Sequence, residues 1–182
     1  MVRLFLIFLI AGSLMSCGVS TEHLKEGIKK IPVDKNYFAR KFRNKYNVKI
    51  PNEVDSKSVY REVFLIENGK KYESNKLRDF SLLRFYENGC VNKFIITKSQ
   101  DLERIDLNPD DRGYRGVVYT KKDKCLVSFF VPVSETYRYG LQKKIISVEG
   151  DTLFMKYKNE DFITVYVKDS ISNKNLKYIA NW

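Results

Sequence analysis

Histidine is almost absent from this chain. The single one, His23, lies near the amino end. Catalysis by Ser-His-Asp or Cys-His needs an imidazole inside a folded pocket, so such enzymes are disfavoured from the outset. There is no HExxH, no phosphate-cradling Gly-rich loop and no dinucleotide-binding glycine turn. Cysteine is scarce as well: Cys17, Cys90 and Cys125, with no CxxC pair. With one histidine and no paired thiols a zinc site has too few ligands, and neither a metal nor a cofactor is expected. Long apolar runs are also missing. The longest, Leu4–Ile10, extends through small and apolar residues to Met15. A helix that spans a bilayer needs about 20 apolar residues, so this run is too short to cross and remain.

Acidic residues are fewer than basic ones, 22 against 33, which leaves a formal net charge of +11. In a cytosolic protein that balance points to nucleic acid. The opening stretch argues for export instead, and nucleic acid is set aside. The polyanions left are phospholipid head groups, lipopolysaccharide and surface polysaccharide, so an anionic envelope component is the partner expected. Scattered lysine that merely keeps the surface soluble is the alternative.

What the chain does have begins with Met1–Gly18. Arg3 supplies a positive start, Leu4–Ile10 an apolar core, and Leu14-Met15-Ser16-Cys17 a processing motif. This order resembles a bacterial lipoprotein signal peptide with its lipobox. The resemblance implies a diacylglyceryl group on the Cys17 thiol, cleavage between Ser16 and Cys17, and acylation of the new amino terminus. One acyl chain holds a protein only marginally, whereas two or three anchor it firmly. Gly18, rather than Asp, follows the cysteine. By the same resemblance this favours the outer membrane of a Gram-negative bacterium. The expected organisation is a signal peptide at 1–16, a lipid-anchored tether at 17–58 and a globular domain at 59–182.

Within the tether, Asp34 is a suitable N-cap for a helix over 34–46. Phe38, Phe42 and Tyr46 recur at four-residue spacing and form an apolar stripe bordered by Lys41 and Lys45. Such a helix either lies on an anionic membrane or packs across one end of the following sheet.

From Val59 the texture becomes that of strands. Runs of Val, Ile, Tyr, Phe and Thr alternate with turn signals. The predicted strands are 59–67, 81–87, 91–98, 114–120, 124–131, 143–148, 152–158 and 162–168. Asn68-Gly69, Asn88-Gly89, Lys122-Asp123, Gly150-Asp151 and Asn159-Glu160 separate neighbours. Asn-Gly accepts positive φ and favours a tight hairpin. The fold class expected is therefore mainly β, an antiparallel meander of about eight strands with one short N-terminal helix. Several strands are apolar on both faces, which suits either an open curved sheet covered by a helix or a lipocalin-like barrel. Glu67-Asn68-Gly69-Lys70 and Glu87-Asn88-Gly89-Cys90 resemble the short hairpin units of MORN-like repeats over four residues. They are read as two similar hairpins.

Candidate sites are few. Residues 99–113, with Asp101, Asp106, Asp110 and Asp111, make an acidic loop that lacks the regular DxDxDG spacing of a calcium site. An oxidising envelope permits a disulfide between Cys90 and Cys125; two separately buried thiols are the alternative. Arg112, Tyr114, Arg115, Tyr137, Arg138 and Tyr139 cluster in or beside two loops. Aromatic rings with guanidinium forks suit sugars or anionic groups, while strand-edge packing is the plainer role. The sequence thus points to a non-enzymatic, membrane-anchored lipoprotein whose β domain binds an envelope component. A carrier of a small apolar ligand and a hydrolase using paired carboxylates are the alternatives.

Overall fold

The computed structural model describes residues 19–25, 29–34, 36–43, 45–74, 79–97, 99–100, 104–134, 138–157 and 161–182. Cys17, Tyr137 and the Asn159-Glu160 turn lie outside them. A short hairpin, β1 (Thr21–His23) and β2 (Lys30–Pro32), comes first. A π-helical turn follows at Ala39–Arg43. Then come β3 (Val59–Glu67), β4 (Lys70–Glu73), β5 (Phe80–Phe85), β6 (Cys90–Ile96), β7 (Tyr114–Lys121), β8 (Lys124–Pro132), β9 (Tyr139–Glu149), β10 (Thr152–Lys156) and β11 (Phe162–Asp169). A one-turn helix, α1 (Asn173–Leu176), ends the sequence of elements.

Each strand from β5 to β11 pairs antiparallel with the next. β11 then pairs with β3 from Phe162↔Glu67 to Asp169↔Val59, and β3 pairs with β5. The meander therefore closes into an eight-stranded barrel, and β4 is an extra strand on the upper part of β3. Closure pairs the two edges that an open sheet would leave exposed. The turns behave as their residues require. Asn68 and Gly69 have φ of 50° and 75°, and Lys122 and Asp123 have 48° and 57°. Positive φ at both central positions is what a type I′ hairpin needs. The two Glu-Asn-Gly segments close two separate hairpins, β3–β4 and β5–β6.

The double-sided apolar character has two causes. Inward residues Tyr60, Leu83, Phe85, Val118, Phe129 and Tyr166 pack into one core inside the barrel. Outward residues are covered too. Cys90, Val117, Tyr119 and Phe130 lie under Phe38, Phe42 and the carboxyl-terminal Trp182. Leu82, Phe94 and Ile96 lie under Ile105 and Leu107 of the 99–113 loop. A carboxyl-terminal strap is held by side chains. The Arg84 guanidinium donates to the carbonyls of Asn175, Leu176 and Tyr178, and Trp182 Nε1 donates to the Gly116 carbonyl at 2.8 Å.

The helix expected over 34–46 is shorter. Helical structure starts at Tyr37, and the wide turn ends at Arg43. The Asp34 side chain accepts from the Asn36 amide at 3.0 Å and pairs with Arg40. Phe38 and Phe42, each 2% exposed, turn onto the outer barrel wall, so their stripe is spent on packing rather than on a membrane. The segment after them reaches one end of the barrel, where Ile50 and Val54 join the inner core and the Asp55 amide donates to Tyr60 OH at 2.9 Å. That end is plugged.

The two remaining cysteines are free thiols. Cys90 lies opposite Val117 and Cys125 opposite Thr120, so two strand spacings, roughly 9–10 Å, separate their strands. Residues 117 and 120 also differ in parity, and the cysteines face opposite sides of the wall: Cys90 packs outside and Cys125 inside. A disulfide needs Cα atoms within about 7 Å and converging side chains. The bridge is excluded, and each thiol is a separate small hydrophobe.

Candidate functional site

The end of the barrel opposite the plug is polar inside. One irregularity changes the inward face of β3 there. In β3, Tyr166 pairs with Glu62 but Val165 pairs with Phe64, so Val63 is an extra residue. A bulge of this kind shifts the alternation by one. Below it Tyr60 and Glu62 point inward; above it Leu65 does, opposite Thr164. On β9 the inward row is Gln142, Lys144, Ile146, and on β6 Val91 is followed by Lys93.

These rows meet around a cavity of about 320 Å³, lined by Glu62, Lys93, Gln142, Lys144, Tyr157 and Thr164, with Leu65 and Phe162. Glu62 and Lys144 are 7% and 6% exposed. Burying charges in this way is costly unless they are paired or hydrogen-bonded. Glu62 Oε2 accepts from the Ser81 amide at 3.1 Å and from Ser81 Oγ at 2.5 Å. With its proton committed to Glu62, Ser81 Oγ accepts from Tyr166 OH at 2.9 Å. This chain of three residues on β3, β5 and β11 fixes the carboxylate. The Lys144 ammonium stands 4.4 Å from the centre of the Tyr157 ring, a cation–π distance. Among the described residues the lining thus holds two ammonium groups and one carboxylate, on strands. Below it, Tyr60, Phe85, Phe129, Leu153, Met155 and Tyr166 fill the barrel, each under 2% exposed.

The residues singled out from the sequence do not form one open surface. Tyr114 is half-buried at an inward position directly opposite Lys93, beside the cavity, and Lys29 Nζ lies 5.0 Å over its ring. Arg115 faces outward, pairs with Asp110 at 3.0 Å and stacks 5.0 Å from the Trp182 ring centre. Tyr139 packs against Phe130, with ring centres 5.6 Å apart. Arg112 reaches the Asp106 carbonyl at 3.5 Å, and Arg138 is exposed. Arg115 and Tyr139 have the packing role. Asp101 lies outside the described residues; of the rest of the loop, Asp106 and Asn108 accept from nearby amides, and Asp111 accepts from Asn108 Nδ2 at 2.6 Å. No cluster of metal-ligating side chains occurs among the described residues.

Burial raises two groups strongly. It pushes Tyr86 up to about 12 and Cys125 up to about 11, in the latter case with help from the charge of Glu53. No family model matches the chain, and no curated protein or solved structure matches it significantly.

Sequence reading missed Glu62, Lys93, Gln142 and Lys144. The available signal was a charged residue on the same parity as apolar neighbours: Glu62 with Tyr60, Lys93 with Val91, Lys144 with Ile146.

Proposed function

We infer that this protein is a non-enzymatic lipoprotein of the cell envelope, anchored through Cys17, whose barrel binds a small anionic envelope component at its open end. The observation that carries the reading is the cavity at that end, with Lys93 and Lys144 against one carboxylate, Glu62, among the described residues. About 320 Å³ lies at the small end of ligand sites, so the ligand is a group the size of a single sugar or head-group unit. Glu62, Gln142 and Thr164 supply acceptors and donors for its hydroxyls. The apolar-carrier alternative has less support, because the barrel below the cavity is filled with side chains. The hydrolase alternative needs two facing carboxylates, and among the described residues this lining includes Glu62 alone.

Two measurements test the reading. Intact mass of the protein isolated from membranes is expected to equal Cys17–Trp182 plus acyl chains; an unlipidated mass overturns the anchor. Titration of the full chain in detergent with glucuronate and with glycerol 3-phosphate is expected to show saturable binding by at least one, weakened about tenfold or more by Lys144→Met, since a charge-assisted contact contributes about 1.5–3 kcal/mol. Binding of glucose equal to that of both anions, or no loss in the variant, refutes the anionic site.

A further inference from the structure

A second feature lies on the outside of the barrel. Between β7, β8 and β9, beside the Lys122-Asp123 turn, runs a groove of about 420 Å³. Its floor is apolar: Leu126 and Ile145, beside the buried ring of Tyr119. Its rim is basic: Lys121, Lys122, Lys124 and Lys143, all exposed. Lys144 follows on β9, but its side chain turns inward to Tyr157. The one acid in residues 119–126 is Asp123, at the tip of the turn, and residues 141–146 have none. Tyr46 extends the surface, with its ring 5.2 Å from Lys121 Nζ and its hydroxyl accepting from that ammonium at 3.3 Å. Exposed Lys45 is next to it in the chain. An apolar floor inside a ring of ammonium groups matches an anionic amphiphile, whose head group meets the lysines and whose glycerol and first methylenes meet the floor.

Chain length says which surface is at hand. Val19 packs against the same outer cluster as Leu126, Leu141 and Tyr46. Cys17 precedes Val19 by two residues, a reach of at most about 7 Å. A lipid on Cys17 therefore tethers the chain on the outside of the barrel.

We propose that the barrel docks on the membrane through the uncovered outer surface beside the Lys122-Asp123 turn, with the Lys121–Lys122–Lys124–Lys143 groove seated on anionic phospholipid head groups. The proposal rests on the Cys17 anchor for nearness to the membrane and on the groove for its charge preference. Basic residues near an anionic surface each contribute about a fivefold factor to association.

The test uses the full lipidated chain reconstituted with phosphatidylcholine vesicles, or with vesicles in which a third of the lipid is phosphatidylglycerol. Flotation reports the anchor. Residue-resolved acetylation of lysines reports the groove. With phosphatidylglycerol, acetylation of Lys121, Lys122, Lys124 and Lys143 is expected to fall about fivefold or more relative to phosphatidylcholine, while Lys70 and Lys156 are unchanged. In a Lys124→Glu/Lys143→Glu variant the protection of Lys121 and Lys122 is expected to vanish; these positions are exposed, so the fold is retained. Flotation with both vesicles and equal acetylation overturns the docking and leaves the anchor standing. Flotation with phosphatidylglycerol alone, with the lysines protected, overturns the anchor and leaves the groove. Flotation with neither overturns both.

Discussion

Trp182 is the last residue and the only tryptophan, yet it is 6% exposed. It meets Tyr86 edge-on at 6.2 Å and Phe38 at 6.5 Å, lies against Arg115, and donates to the Gly116 carbonyl. It joins the barrel wall, the amino-terminal layer and the carboxyl-terminal strap. Replacing it with alanine removes about 150–250 Å² of buried surface. At about 25 cal/mol per Å² that is about 4–6 kcal/mol as an upper bound, and large-to-small changes of this kind cost about 3–5 kcal/mol. Losing the indole hydrogen bond adds about 1 kcal/mol. The sum is a large part of a typical stability of about 5–15 kcal/mol. With a urea slope near 2 kcal/mol/M, Trp182→Ala is expected to lower the unfolding midpoint by about 2 M. Trp182→Phe keeps the ring contact and loses the donor, so a shift of about 0.5–1 M is expected. Far-UV circular dichroism is the assay, since the variants lack the tryptophan signal. A shift below about 0.5 M for the alanine variant refutes a docked carboxyl terminus.

Gly116 gives a second test. A Cβ there would stand 2.7 Å from both Phe129 Cδ1 and the Ser128 carbonyl oxygen, and the carbonyl is backbone that cannot move aside. Gly116→Ala is expected to cost about 1–3 kcal/mol, read as a lowered thermal midpoint; an unchanged midpoint contradicts the close packing of Phe129 on β7. The thiols give a third. Burial raises both, so maleimide at pH 8 is expected to label Cys90 and Cys125 far more slowly in the folded chain than in urea. Equal rates, or a mass deficit of two hydrogens that reductant abolishes, overturn the assignment. Alkaline pH gives a fourth. Cys125 and Tyr86 hold their protons more tightly when folded, from ordinary values of 9.0 and 10.0 up to about 11 and about 12. Their contribution is complete below pH 9 and is lost as pH rises through 11 to 12. The urea midpoint is expected to be level up to about pH 9 and to fall above it; a midpoint level to pH 11 contradicts their burial.

Much of the barrel was legible in the chain because local rules decide it. Alternation and β-branched content located β3 with its exact bounds and seven further strands within a few residues, and the Asn-Gly and Lys-Asp turns set their antiparallel order. β1, β2 and β4 went unread: three or four residues carry too little periodicity to register. The amino-terminal stripe of Phe38 and Phe42 was visible, but its partner, the outer wall of β7 and β8, lies some 80 residues away. The same holds for the cysteines. Their spacing along the sequence left a bridge open, and the parity of Val117 and Thr120 across β7 closed it.

The cavity shows the division most clearly. The sequence by itself determined that Glu62, Lys93 and Lys144 sit in strands, but a strand has two faces and the chain does not say which is inside. Two facts of tertiary structure chose: pairing of β11 with β3 closed the barrel, and the 49–58 segment plugged the opposite end. Strand identity is written in neighbours two residues apart, whereas inside and outside depend on pairings a hundred residues apart.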